Sequence, residues 1–250
     1  MTNRLRVAVI GVGHLGQHHA RLLASMDGVE LVGIVDTKPG RAEDVAAKYG
    51  TKAWPASSDL LGRVDAVTIA VPTVSHLDVA LPFLARGVSA LVEKPVAPTV
   101  ADAERLIGTA ASAGAILAAG HTERFNPAVV AALPLVTDPR FVEVHRLGTF
   151  PERSLDIDVV FDLMIHDLDV VLSLVPSEVE SLDAVGVPVL TGKVDIANAR
   201  IRFANGCIAN LTASRISRDR VRKIRFFQPS AYVSIDSTSL FTIDSTTSRS

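Results

Sequence analysis

The sequence has almost no cysteine, almost no net charge and no long apolar run, and each shortage closes off a class of protein. Cys207 is the one cysteine in 250 residues. It cannot close an intrachain disulfide, so the fold must rest on a core, and a reducing compartment is expected. Twenty-five basic and 27 acidic residues leave a formal charge of −2, so no global field holds nucleic acid or an anionic membrane. Any phosphate recognition has to be local. No stretch reaches the roughly 18 uninterrupted apolar residues of a membrane helix, because Val159–Val175 carries Asp162, His166, Asp167 and Asp169. The apolar start VAVIGVG is short, interrupted by glycine and lacks a small-residue cleavage site, so it reads as a buried strand rather than a signal peptide. No metal site is expected. Hydrophobic residues at 48% and charged residues at 21%, with 16 Gly and 13 Pro, exclude global disorder. The length is about 1.7 times a typical domain, which suggests one large or two modest domains. A soluble, cytoplasmic protein is the expectation.

The first 120 residues alternate β-branched runs with Ala-rich helical stretches. Strands are expected at Leu5–Ile10, Glu30–Val35, Val64–Ala70, Ser89–Val92 and Ala115–Ala119, with helices at His14–Met26, Arg41–Tyr49, Ser75–Arg86 and Val100–Ala113. Strands without polar alternation are buried on both faces, as in a parallel sheet covered by helices. This is an α/β, doubly wound pattern over residues 1–121. After His121 the pattern predicts a short helix near Pro127, a strand at Arg140–Leu147 and a strong helix at Asp158–Val175. A series of strands follows at about Val179–Pro188, Asp195–Phe203, Cys207–Ser214, Arg220–Phe227, Ala231–Ile235 and Ser239–Ile243. Without intervening helices these form a mainly antiparallel sheet, making residues 122–250 an α+β domain.

Gly11-Val-Gly13-His14-Leu15-Gly16 follows a strand and opens a helix, the context in which GxGxxG marks a dinucleotide site. Gly11 permits the tight turn, Gly13 the approach of a pyrophosphate, and Gly16 close helix-on-strand packing. Main-chain N–H groups at His14 and Leu15 then face the phosphates. Asp36, 20 residues beyond Gly16 at the end of the second strand, suits ribose hydroxyls and favours NAD. Lys38 and Arg41 are close enough in sequence to leave NADP open.

Ligands of open α/β sheets lie outside the carboxyl ends of the strands. Val71-Pro72-Thr73-Val-Ser-His76 and Glu93-Lys94-Pro95 occupy two such ends. In the helix at 158–175, Asp158, Asp162, His166, Asp169 and Ser173 fall within an arc of roughly 80° at 100° per residue, with Asp167 off the stripe. Acids and a histidine on a mostly apolar helix are costly unless paired or used, the other reading being a solvent-facing acidic edge on which Asp162 and His166 form an ordinary i, i+4 pair.

Gly11–Gly16 with Asp36, the Ala70-Val-Pro-Thr-x-x-His76 segment, Glu93-Lys94-Pro95, Gly120-His-x-Glu-Arg-Phe-Asn-Pro127 and Asp162-x-x-x-His166-Asp167 together resemble the Gfo/Idh/MocA family of NAD(P)-dependent sugar and cyclitol oxidoreductases. The resemblance implies that Lys94, Asp162 and His166 gather around the reacting carbinol. His166 would take the hydroxyl proton, Lys94 polarise the oxygen, and Asp162 orient substrate or imidazole. It also implies that Val71, Pro72, Thr73, His76, Glu93 and Lys94 line the cofactor, and that the open face of the second sheet makes dimers or tetramers. GHTERFNPA is more similar to the nucleotide-sugar branch than to the inositol or glucose enzymes, which implies a substrate such as a UDP-N-acetylhexosamine oxidised at C3. Arg124, Asn126 and Arg153 are the candidates for contacting it. Arg124 has an alternative use as a partner for Glu123 or another carboxylate, and Asn126-Pro127 is also a natural helix start. Inositol or a free sugar, another reductase chemistry on the same scaffold, and a non-catalytic dinucleotide sensor are the competing readings. Members of the family usually run past this sheet, so a chain truncated at its C-terminus is expected.

Overall fold

In the structure, a computed structural model, residues 4–150, 157–229 and 231–236 are described. The chain divides into two compact units, residues 1–120 and 121–250.

The first unit is a parallel sheet of β1 (Leu5–Ile10), β2 (Val29–Val35), β3 (Ala66–Ile69), β4 (Ser89–Val92) and β5 (Leu117–Ala119), in the order β2-β1-β3-β4-β5. The last four residues of β1 are all buried, as the unbroken VAVI run requires. Alternate side chains leave by opposite faces. Val9 joins Ile34, Ala20, Val45 and Ala46 under α1 (His14–Ser25) and α2 (Arg41–Tyr49). Ala8 and Ile10 join Phe83, Leu84, Leu106 and Ala110 under α3 (His76–Leu84) and α4 (Val100–Ala113). From β1 the chain crosses to β2 on one side, whereas β3 continues to β4 on the other. The ends of β1 and β3 therefore flank the point where the winding reverses, the usual position of a ligand crevice.

In the second unit α5 (Pro127–Ala132) precedes β6 (Phe141–Leu147) and α6 (Ile165–Leu174) follows it. After α6 come β7 (Val179–Val187), β8 (Ile196–Phe203), β9 (Ile208–Ser214), β10 (Val221–Phe227) and β11 (Tyr232–Asp236). The sheet order is β11-β10-β6-β9-β8-β7. One face, with Val142, Val144, Ala199, Ile201, Leu211 and Phe226, packs with residues of α5 and α6 in a single core. β8 alternates strictly between buried and accessible residues, while every residue of the edge strand β7 is exposed.

The elements lie within two residues of the spans expected from the pattern. The strand expected at Ser239–Ile243 lies outside the described residues. The sheet is mainly antiparallel but mixed, because β6 and β9 run parallel. α6 carries the chain back to the end of the sheet from which β6 started, so β7 and, two reversals later, β9 run in the direction of β6. The helix expected at 158–175 opens with a π turn at Val160–Met164 before α6. Such a turn holds an extra residue, so a uniform 100° step does not describe the stripe across it. Among the described residues no helix is long and apolar enough to cross a membrane.

Candidate active site

In the first unit the glycines occupy three distinct environments. Gly11 has φ of +83°, and a Cβ there would lie 2.7 Å from the carbonyl oxygen of Ala70. A Cβ on Gly16 would run into the carbonyl of Gly11. Beside Gly13 the nearest atom is a guanidinium nitrogen of Arg41 at 3.8 Å, so the main chain is open there. Gly13 caps α1 without a side-chain hydrogen bond, leaving first-turn amides at His14 and Leu15 for an outside acceptor. The residues present fit a pyrophosphate: two glycines close the turn and the third leaves it uncovered.

Asp36 organises this loop from the end of β2. Oδ2 accepts from Val12 N at 2.8 Å and from Arg41 Nη1 at 3.3 Å, and Oδ1 accepts from Lys38 N at 2.8 Å. Carboxylate oxygens have further lone pairs, so these bonds leave capacity for a ribose hydroxyl. The turn after β3 lies against the same loop, with Val71 Cγ1 2.9 Å from the Cβ position of Gly11. Pro72 is exposed and Thr73 half-buried.

His76, expected at the cofactor, turns away from solvent with 1% exposure. Its Nδ1 is 2.9 Å from the Pro95 carbonyl and its Nε2 3.0 Å from the Val71 carbonyl, so both ring nitrogens are engaged inside the unit. Glu93 is also buried. Its Oε1 lies 2.9 Å from His19 Nε2, and its Oε2 accepts from Lys94 N at 3.3 Å. Gly120 is small because a Cβ there would come within 2.9 Å of this carboxylate.

In the second unit the acidic stripe is sorted by its partners. Asp158 Oδ1 accepts from Val194 N at 2.9 Å. Asp169 takes a two-pronged pair from Arg124, Nε at 2.8 Å and Nη2 at 2.6 Å. Asp167, off the expected stripe, is buried and takes Nε and Nη2 of Arg146 at 2.8 and 2.7 Å. Burial pushes the Asp167 carboxyl above the ordinary carboxylate range, against the pull of the Arg146 guanidinium. Asp162, within the π turn, and His166, in the first turn of α6, are half-buried. Asn126 spends both ends of its amide locally: Oδ1 accepts from Ala128 N at 3.0 Å, and Nδ2 donates to Glu123 at 2.9 Å. Arg153 lies outside the described residues.

The sequence reasoning missed Arg146, His19 and the buried pair of Asp195 and Arg215. Arg146 had a signal, since alternation along β6 puts it on the same face as Val142 and Val144.

Two family models cover most of the chain: the oxidoreductase family with NAD-binding Rossmann fold over residues 5–121, and the Gfo/Idh/MocA C-terminal domain over residues 138–231. The chain belongs to the Gfo/Idh/MocA oxidoreductase family. Its first unit is accordingly an NAD-binding Rossmann fold. The UDP-N-acetylglucosamine 3-dehydrogenase of Acidithiobacillus ferrooxidans is 43% identical over 93% of this chain and 74% of that protein. Its solved structure superposes with a TM-score of 0.89, covering 93% of this chain and 77% of that one. The NAD-dependent scyllo-inositol 2-dehydrogenase of Bacillus subtilis is 30% identical over 87% of this chain and 69% of its own. GenD2 from gentamicin A biosynthesis, solved with NAD, shares the fold at a TM-score of 0.87 and 23% identity over 94% of this chain and 73% of that one. These relatives are dehydrogenases or share their fold, and the member described here stands with enzymes rather than with a non-catalytic sensor.

Proposed function

We propose that this family member oxidises the C3 hydroxyl of a UDP-N-acetylhexosamine, with UDP-N-acetylglucosamine as its first substrate, and passes the hydride to NAD. The observation that carries this reading is the 43% identity, sustained over 93% of the chain, to an enzyme of that name. Inositol dehydrogenases match at about 30% and are the more distant model.

NAD, when bound, supplies the hydride acceptor. Gly11, Gly13, His14, Leu15 and Gly16 would hold its pyrophosphate, Asp36 its adenosine ribose, and Val71, Pro72 and Thr73 the nicotinamide side. His166 accepts the hydroxyl proton as the C–H bond breaks, since imidazole exchanges protons near neutral pH and serves oxidation and reduction alike. Lys94 supplies a cationic donor that stabilises developing alkoxide charge. Asp162 orients the imidazole or a neighbouring hydroxyl. Arg124 gives two N–H groups to Asp169, and its half-exposed fork retains donors for a sugar oxygen or phosphate. Asn126 holds the turn that presents Arg124, and Arg153 is a further phosphate donor. Self-association through the open face of the second unit's sheet, and a cytoplasmic setting suited to the unpaired Cys207, belong to the same proposal.

The test mixes protein, NAD and UDP-N-acetylglucosamine and follows NADH absorbance. Turnover that Lys94→Ala and His166→Ala each reduce by roughly two to four orders of magnitude, with NAD still bound, is expected. Turnover of inositol or a free hexose without any nucleotide sugar would remove the substrate assignment.

A further inference from the structure

We infer that His19 and His76 are positioning residues for Lys94, which fix from two sides the turn that carries its amine. The inference rests on the reading of Lys94 given above and goes beyond it by assigning a role to His19 and moving His76 from the cofactor to the turn.

The argument starts from reach. A lysine amine sits at the end of a four-carbon stem, and its aim depends on the main chain from which it springs. That chain is a turn after a short strand and needs support from elsewhere. Glu93, directly before Lys94, is held at Oε1 by His19 Nε2 of α1 at 2.9 Å. Its other oxygen accepts the N–H of Lys94 itself. Pro95, directly after Lys94, has its carbonyl held by Nδ1 of His76 at 2.9 Å, while Nε2 faces the Val71 carbonyl at 3.0 Å. His76 thus joins the turn after β4 to the turn after β3, and His19 joins it to the helix that starts at the glycine loop.

His76 is not placed to serve a ligand. His76 is fully enclosed with both nitrogens engaged. The Nδ1 of His19 is buried without a hydrogen-bond partner among the described residues, so the polar commitment of that ring is to Glu93. Two half-buried carbonyls and a buried carboxylate left without these partners would shift to regain them. A displacement of about 1 Å at a catalytic group costs on the order of a hundredfold in rate.

The experiment compares His19→Leu, His19→Gln and His76→Phe with the parent protein for turnover of UDP-N-acetylglucosamine, and titrates NAD by fluorescence. Positioning predicts that His19→Leu and His76→Phe lower kcat about ten- to a hundredfold, with the Kd for NAD within about threefold. His19→Gln, which retains an N–H for Glu93, recovers most of the rate. NAD affinity falling in step with kcat would instead assign the rings to the cofactor, and an unchanged kcat would end the inference. Should His76→Phe not fold, the half-buried His19 pair carries the same decision. Lys94→Ala in parallel separates the two levels: full activity there overturns the role of Lys94, whereas an inactive Lys94→Ala beside an active His19→Leu overturns only the positioning.

Discussion

Gly16 and His19 lie one turn apart on α1, and sequence alone reveals the first but not the second. Gly16 is legible because its requirement is steric and recurs at fixed spacing with Gly11 and Gly13. His19 owes its role to Glu93, 74 residues away, a separation that no local pattern encodes. Arg124 and Asn126 were each open to two uses. Bonds to Asp169, Glu123 and Ala128 show the packing use in the structure, while contact with a sugar remains a proposal. At this scale the glycine loop makes a sharp prediction. Gly16→Ala drives a methyl into the Gly11 carbonyl, so α1 must move off β1. The expected result, read by fluorescence titration and thermal melting, is at least about tenfold weaker NAD binding together with a lower Tm.

Among the elements, the parallel sheet was read directly because its strands are continuous apolar runs and its helices are amphipathic. Two features of the second unit were not legible. The parallel pairing of β6 with β9 depends on where α6 returns the chain, and the π turn at Val160–Met164 inserts a residue that a periodicity count passes over. The buried pair of Arg146 and Asp167 ties α6 to β6. Arg146→Met leaves Asp167 without its cation, and denaturant unfolding is expected to register a loss of about 3–5 kcal/mol. The double change Arg146→Met with Asp167→Leu should recover part of it, since the unpaired charge of Asp167 is removed while Glu123 still loses the Arg146 guanidinium. The hairpin between β7 and β8 rests on Asp195. Burial raises its carboxyl, but main-chain N–H groups of Val189 and Thr191 and the Arg215 guanidinium outweigh this and hold it well below the usual carboxylate range. A depressed acid contributes stability that is complete above its unfolded value, about pH 3.9, and is lost as pH falls below that toward the folded value. Acid unfolding followed by circular dichroism should therefore show a steep limb below about pH 4, and Asp195→Asn should flatten that limb while lowering stability at neutral pH.

At the scale of the whole molecule, the family could be named from the sequence because its motifs come in order along both units: GxGxxG with Asp36, Glu93-Lys94-Pro95, and Asp162 with His166. Any one of them is ordinary. The substrate is a different matter, because the residues nearest to that question, Arg124, Asn126 and Arg153, have uses in packing or lie outside the described residues. NAD should raise Tm by mass action, worth about 2.7 kcal/mol at a hundredfold excess over its Kd. Single-turnover NADH formation from UDP-N-acetylglucosamine, compared between the parent protein and His166→Ala, is the most direct test of the account. The prediction is hydride transfer in the parent and a rate lowered by at least about a hundredfold in the variant, with NAD bound equally by both. Equal rates in the two proteins, or NAD binding without any reduction by a nucleotide sugar, would contradict it.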